Sequence, residues 1–213
     1  EKYRKLRGQY PVIFLSFASV KGETYSEVRE GIVQTILDLY ARYDYLRQSD
    51  ALNEKEKAYF DYVNADMSNT IAAMALRRLS LCINLHYGKK ALILLDEYDT
   101  PLQEAYVKGY WNELASFMSN LFNYTFKTNP YMERGLLTGI TRVSKESIFS
   151  DLNNLEIVTT TSNKYSTAFG FTEAEVMNAL EMFGLQEQSG EVKKWYDGFC
   201  FGEQNDVYNP WSI

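Results

Sequence analysis

Residues 11–17 read Pro-Val-Ile-Phe-Leu-Ser-Phe, a nearly unbroken apolar run led by proline. So short a run without polar alternation predicts a strand buried on both faces of a parallel sheet. Thr24-Tyr25-Ser26-Glu27 then has the form of a capping box, with Val28, Ile32, Ile36, Leu39, Tyr40 and Tyr43 following at helical spacing. A long amphipathic helix is predicted there. Asn53 to Ala65 contains no Gly or Pro and sets Tyr59, Phe60 and Val63 on one side. Ile71 to Tyr87 carries Ile71, Met74, Ala75, Leu79 and Ile83 until Gly88 stops it, so two further helices are expected.

A second apolar run, Ala91 to Leu95, lies between Lys89-Lys90 and Asp96-Glu97 and is too short for a helix. Thr100-Pro101-Leu102-Gln103 supplies an N-cap, a proline at the first helical position and a glutamine three residues on, which starts a helix just after the strand. Residues 111–126 continue as helix, and 135–140 (GLLTGI) form a third candidate strand. Strand, helix, strand, helix, strand is the rhythm of an α/β domain built on a parallel sheet. Towards the end, Thr172-Glu173-Ala174-Glu175 is a second capping box, opening a helix to about Phe183. A short helix at 191–195 and turns at Asp197-Gly198 and Phe201-Gly202 complete the pattern, which shows no internal repeat.

Composition narrows the class. With 213 residues, 46% of them hydrophobic, the chain can bury one good-sized core with a small appendage and is too apolar to be disordered. A net charge of -6 argues against broad binding to a phosphate backbone, while leaving room for a local basic patch. No apolar run approaches the roughly 18 residues of a membrane helix, and the start Glu1-Lys2-Tyr3-Arg4-Lys5 leads into no signal-like stretch. The expectation is a cytoplasmic protein with no membrane partner. Cys82, Cys200 and His86 make no metal-spaced set and are read as structural. The chain opens on Glu and stops in the apolar segment Asn209-Pro210-Trp211-Ser212-Ile213, so a fragment of something longer is expected.

The most informative stretch is Leu92-Ile93-Leu94-Leu95-Asp96-Glu97-Tyr98-Asp99. A buried strand that ends in Asp-Glu delivers two carboxylates to the C-terminal edge of the sheet, where ligands bind in open α/β folds. The first can hold the water shell of Mg²⁺ and the second can orient an attacking water. The plainer alternative is that the acids only end the strand, with Asp99 or Thr100 capping the next helix. A nucleotide site also needs a glycine-rich loop to cradle phosphates. Gly88-Lys89-Lys90 precedes a strand and Gly139-Ile140-Thr141-Arg142 lacks the lysine and second glycine, so only half of such a site is visible. At the third strand's end, Thr138 and Thr141 could touch a γ-phosphate or water and Arg142 could offset developing negative charge, or the segment is a solvated loop. Lys21 and Gly22, past the first strand, are weaker candidates for a ligand contact.

Five segments taken together resemble a family: YPVIFLSF, LILLDEYDTPL, GLLTGITRVSKESIFSDLNNL, FGFTEAEV and WYDGFCFGEQNDVYNPWSI, from about residue 10 to the last. Their order and spacing are similar to those of the bacterial AAA-ATPase-like proteins, P-loop NTPases often fused to a restriction-endonuclease-like nuclease domain. The resemblance implies a three-layer α/β/α core over 1–171 and a helical lid with the start of a link over 172–213. It implies ATP and Mg²⁺ as cofactors, Asp96 as metal ligand, Glu97 as the residue that orients water, and Arg142, Thr138 and Thr141 as the sensor region. The family's phosphate loop, of the form PRRFGKS or PRRFGKT, would lie upstream of Glu1, and a nuclease domain in cis would lie beyond Ile213. The fragment alone is therefore expected to be inactive. Two rivals stand beside this reading: a non-catalytic scaffold that kept the fold and uses an aromatic-rich surface, and a metal-dependent hydrolase built on Asp96, Glu97 and Asp99. Nucleic acid as a substrate and the oligomeric state are not legible in the sequence.

Overall fold

The first apolar run becomes β1 (Val12–Ser16), the second β2 (Ala91–Asp96), and a third strand, β3 (Met132–Leu137), pairs with β2. All three run parallel in the order β1-β2-β3, with Ile13 opposite Ile93 and Ser16 opposite Asp96. The computed structural model describes residues 3–140, 148, 149, 152 and 155–210. The chain divides into two compact units, Glu1–Asn154 and Leu155–Ile213, each with its own sheet.

In the first unit the first helix opens on the predicted cap, while the caps of the next two were not among those expected. α1 (Tyr25–Arg42) starts where the Thr24 side chain accepts the Glu27 amide, α2 (Glu54–Tyr62) on an Asn53–Glu56 capping box, and α3 (Asn69–Tyr87) on Ser68. Gly88 ends α3 at φ 63°, a left-handed conformation that glycine adopts without steric cost. α4 (Thr100–Lys108) and α5 (Trp111–Phe122) follow β2, and α5 runs on into a π-helical turn, Asn123–Lys127. The cap of α4 lies one residue earlier than the sequence suggests: Asp99 is the N-cap and Thr100 is already helical.

Ile13, Leu15, Ala91, Ile93 and Leu95 are buried on one face of the sheet, together with Val28, Ile32 and Ile36 of α1 and Leu76, Leu79 and Ile83 of α3. The Tyr40 hydroxyl, inside this core, donates to the Ala75 carbonyl at 2.7 Å. The opposite face departs from the expectation of burial on both sides. Phe14 is 45% and Leu136 56% exposed, while Leu92 and Leu94 of the middle strand are half-buried, because the described helices cover the alternate residues on the other face. The α/β class with a parallel sheet holds, and the second helical layer implied by the resemblance is not among the described residues of this unit. β3 also begins and ends earlier than GLLTGI suggested. Its polar start, Glu133-Arg134, is tolerated because it is an edge strand with those side chains in solvent.

The second unit holds α6 (Glu173–Met182), opened by the Thr172–Glu175 capping box, and α7 (Ser189–Tyr196). Three short antiparallel strands accompany them in the order β4-β6-β5: β4 (Phe171–Thr172), β5 (Asp197–Phe201) and β6 (Gln204–Tyr208). Asp197-Gly198, expected as a turn, instead opens β5, while the turn expected at Gly202 is present, at φ 58°. Among the described residues no helix is long and apolar enough to cross a membrane.

Candidate functional site

In a parallel strand pair, residues in register project to the same face, so the ends of three strands can bring three side chains into one row. Ser16 ends β1, its register partner Asp96 ends β2, and Thr138 follows the last residue of β3. Thr138 stays bound to β2 past the strand end, its amide donating to the Leu95 carbonyl at 2.9 Å and its carbonyl accepting from the Tyr98 amide at 3.0 Å. The Thr138 hydroxyl donates to Asp96 Oδ1 at 2.5 Å and the Ser16 hydroxyl to Asp96 Oδ2 at 3.3 Å. Each carboxylate oxygen thus carries one neutral donor, one from either neighbouring strand. Among the described residues no lysine or arginine pairs with Asp96.

Glu97 is exposed and sits at φ 48°, a left-handed backbone that costs a non-glycine residue roughly 1 kcal/mol or more. Its surroundings hold it there. Its amide donates to Thr138 Oγ1 at 3.4 Å, its carbonyl accepts from the Thr100 amide at 3.2 Å, and its Oε2 accepts from the Thr100 hydroxyl at 3.1 Å. The sharp turn moves the chain from β2 into α4 within three residues and ties the Glu97 carboxylate to the first residue of α4.

Asp99 does not join them. It is 0% exposed, and its Oδ2 accepts from the Gln103 side chain at 2.9 Å. A Cβ on Gly139 would stand 2.8 Å from the Asp99 carboxyl carbon and 2.9 Å from the Tyr98 ring, so glycine alone lets the segment after β3 lie this close to the start of α4. The three-carboxylate metal site considered from the sequence is not brought together, and no group of three His, Cys, Asp or Glu converges among the described residues.

Of the other sequence candidates, Thr141 and Arg142 lie outside the described residues. Gly22 is a packing position: its carbonyl accepts from the Tyr110 hydroxyl at 2.8 Å, and Lys21 is exposed. Burial pushes the Cys82 thiol up to about 12, which keeps it protonated and inert, and Cys200 is exposed. His86 shares a hydrogen bond with the Ser49 hydroxyl at 2.8 Å, a partner outside the row. Two features escaped the sequence reading. Ser16 was passed over because only the strand register shows that it faces Asp96, and the left-handed Glu97 has no sequence signature.

A hydroxyl-held carboxylate thus stands at the tip of the middle parallel strand, at the sheet edge where ligands bind in open α/β folds. Comparison with known proteins gives the family. The family described as "AAA-ATPase_like: Predicted AAA-ATPase" matches residues 1–149. The chain belongs to the AAA-ATPase-like family. It is also 32% identical over 130 residues to an "Uncharacterized protein in vnfD 5'region" of Azotobacter chroococcum mcd 1. That alignment covers 59% of this chain and 24% of the relative, so the chain spans about a quarter of that protein's length. No solved structure gives a significant match. As an AAA-ATPase-like chain it falls within the general theme of P-loop ATPases.

Proposed function

We propose that this chain carries the hydrolytic half of a Mg-dependent ATPase site, with the phosphate-cradling half supplied by a segment upstream of Glu1. The observation that carries the reading is the Asp96 carboxylate, fixed at the tip of the middle strand by hydroxyls on both sides and left without a cationic partner among the described residues. A carboxylate with its charge uncompensated and its oxygens oriented suits a hard divalent cation or its water shell. Bound Mg-ATP supplies the phosphoanhydride to be cleaved and the cation that offsets its charge. In this reading Asp96 holds the cation's water shell, Glu97 orients and polarises the attacking water, and Thr138 reaches the γ-phosphate. Thr141 and Arg142 belong to the same sensor segment, Arg142 offsetting charge that develops on the leaving oxygens. Residues 1–171 act as the nucleotide-handling core and 172–213 as its lid, and hydrolysis drives a region outside these residues, for which a nuclease-like domain in cis is the proposal.

The test uses the full-length protein. Expected are nucleotide binding and Mg-dependent phosphate release in the wild type, loss of release in Glu97→Gln with binding kept, and loss of Mg dependence in Asp96→Asn. A full-length protein that neither binds nucleotide nor releases phosphate overturns the reading and leaves the scaffold alternative.

A further inference from the structure

Asp96 is held from two directions, and the residue that holds it from β1, Ser16, has no role of its own in the proposed chemistry. We infer that Ser16 is a positioning residue for the metal-binding carboxylate, setting the orientation of Asp96 through its hydroxyl and thereby the affinity for Mg²⁺ without touching nucleotide. The inference rests on the proposed ATPase reading and adds a residue to it.

The direction of the Ser16 hydroxyl is fixed by its own backbone. The Ala18 amide donates to Ser16 Oγ at 3.3 Å, a short side chain-to-backbone turn at the strand end. With a lone pair committed to that amide, the hydroxyl proton is free to point elsewhere, and the acceptor it meets is Asp96 Oδ2, 3.3 Å away across the strand pair. On the opposite flank Thr138 Oγ1 accepts the Glu97 amide in the same way and donates to Oδ1. Both hydroxyls are therefore polarised by a backbone N–H and directed at the carboxylate. Removing one donor leaves the carboxylate held at Oδ1 alone, free to rotate about its terminal torsion, which is broad and soft for aspartate.

The choice of hydroxyl matters. A lysine or arginine here would orient the carboxylate equally well but would neutralise it, and a second cation would then be repelled. A neutral donor orients without discharging, as outer-shell partners of metal ligands do. Beneath the row Ser16, Asp96 and Thr138 lies an apolar row in the same register, Phe14, Leu94 and Leu136, which offers the carboxylate no competing polar contact from below.

The experiment compares wild type, Ser16→Ala and Ser16→Thr in the full-length protein, reading the Mg²⁺ dependence of phosphate release and the nucleotide-free crystal structures. In Ser16→Ala the Mg²⁺ concentration for half-maximal rate should rise about tenfold, the low end of what losing an outer-shell partner costs, while kcat at saturating Mg²⁺ stays within about twofold of the wild type, because chemistry is left to Glu97. The Asp96 carboxylate should be turned from its wild-type orientation in the nucleotide-free structure. Ser16→Thr, which keeps the hydroxyl, should restore both and also serves if the alanine variant does not fold. An unchanged Mg²⁺ dependence, an unmoved Asp96, or a loss confined to kcat overturns the inference while the ATPase reading stands. Absence of Mg-dependent release in the wild type overturns both, and is told apart by that control.

Discussion

Two clusters of carboxylates, one in each unit, are held by opposite means. At the tip of β2, Asp96 and Glu97 take hydrogen bonds from the hydroxyls of Ser16, Thr138 and Thr100. In the C-terminal unit, Glu173 and Asp206 converge on one ammonium, Lys193, at 2.7 and 3.3 Å, and Asp197 lies beside Asp206. The second cluster is held by a cation from within, which ties α6, α7 and the β5–β6 hairpin together. The first is oriented by neutral hydroxyls, with no cationic partner among the described residues. Proximity of acids does not by itself make the two clusters alike. What distinguishes them is whether the donors that hold the acids carry charge.

The comparison is broken most directly at the carboxylates themselves. Asp96→Asn and Glu97→Gln should each lower Mg-dependent phosphate release in the full-length protein by on the order of 10²–10³, the loss seen when one charge-stabilising group is removed from an active site. Asp206→Asn should leave it unchanged. If Asp206→Asn were as damaging as Asp96→Asn, the division of roles between the two clusters would fail.

A second effect bears on how the first cluster is assembled. Gly139→Ala places a methyl group against the Asp99 carboxyl and the Tyr98 ring, neither of which is the free end of a flexible chain. Overpacking of this kind costs about 1–3 kcal/mol, which a shift in the urea midpoint measures. Because Thr138 is the next residue, the same change should also loosen its hydrogen bond to Asp96 and lower hydrolysis. An unshifted midpoint would mean that the segment after β3 does not rest on α4.

These two positions also mark what was legible in the sequence. β1, β2 and the helices α1 to α3 could be read because apolar runs and capping residues are local signals, and Asp96-Glu97 stood out because it follows an apolar run at once. β3 was displaced in the reading because its polar start, Glu133-Arg134, looks unlike a strand, and an edge strand is recognised only once its neighbours are known. Ser16, Gly139 and the burial of Asp99 were illegible for a related reason: each depends on a residue tens of positions away, brought close by strand pairing. The hairpin after Gly198 was missed because Asp-Gly is an equally good turn signal, and the pairing of β5 with β6 decides between the two.

Replacing Lys193 sharpens the comparison from the other side. The raised pKa of this lysine comes first from its hydrogen bond to Glu173 and then, against the cost of desolvation, from Asp206. Lys193→Met should lower the melting temperature of the C-terminal unit, and the loss should shrink at high salt, because the pairs are solvent-accessible and screened. Ser16→Ala, by contrast, should show no such salt dependence, since its contact involves a neutral donor.

The smallest effect is a pH dependence confined to the second cluster. Asp197 is raised above the usual carboxylate range, first by burial, then by its hydrogen bond to and repulsion from Asp206, with Lys193 pulling the other way. Tyr208 also feels the Asp197 charge. A carboxyl whose folded pKa lies above its unfolded value binds more protons folded than unfolded. Its contribution therefore favours folding at low pH and is lost as pH rises from the ordinary aspartate value through the raised one. Hydrogen exchange of the β5–β6 amides, corrected for the intrinsic rate, should show protection falling across that window. Asp197→Asn should flatten the trend and leave the exchange of β1 and β2 as it was. A trend that persists in Asp197→Asn would assign the proton to another member of the cluster, and protection that instead rises with pH would mean that Lys193 outweighs burial at this site.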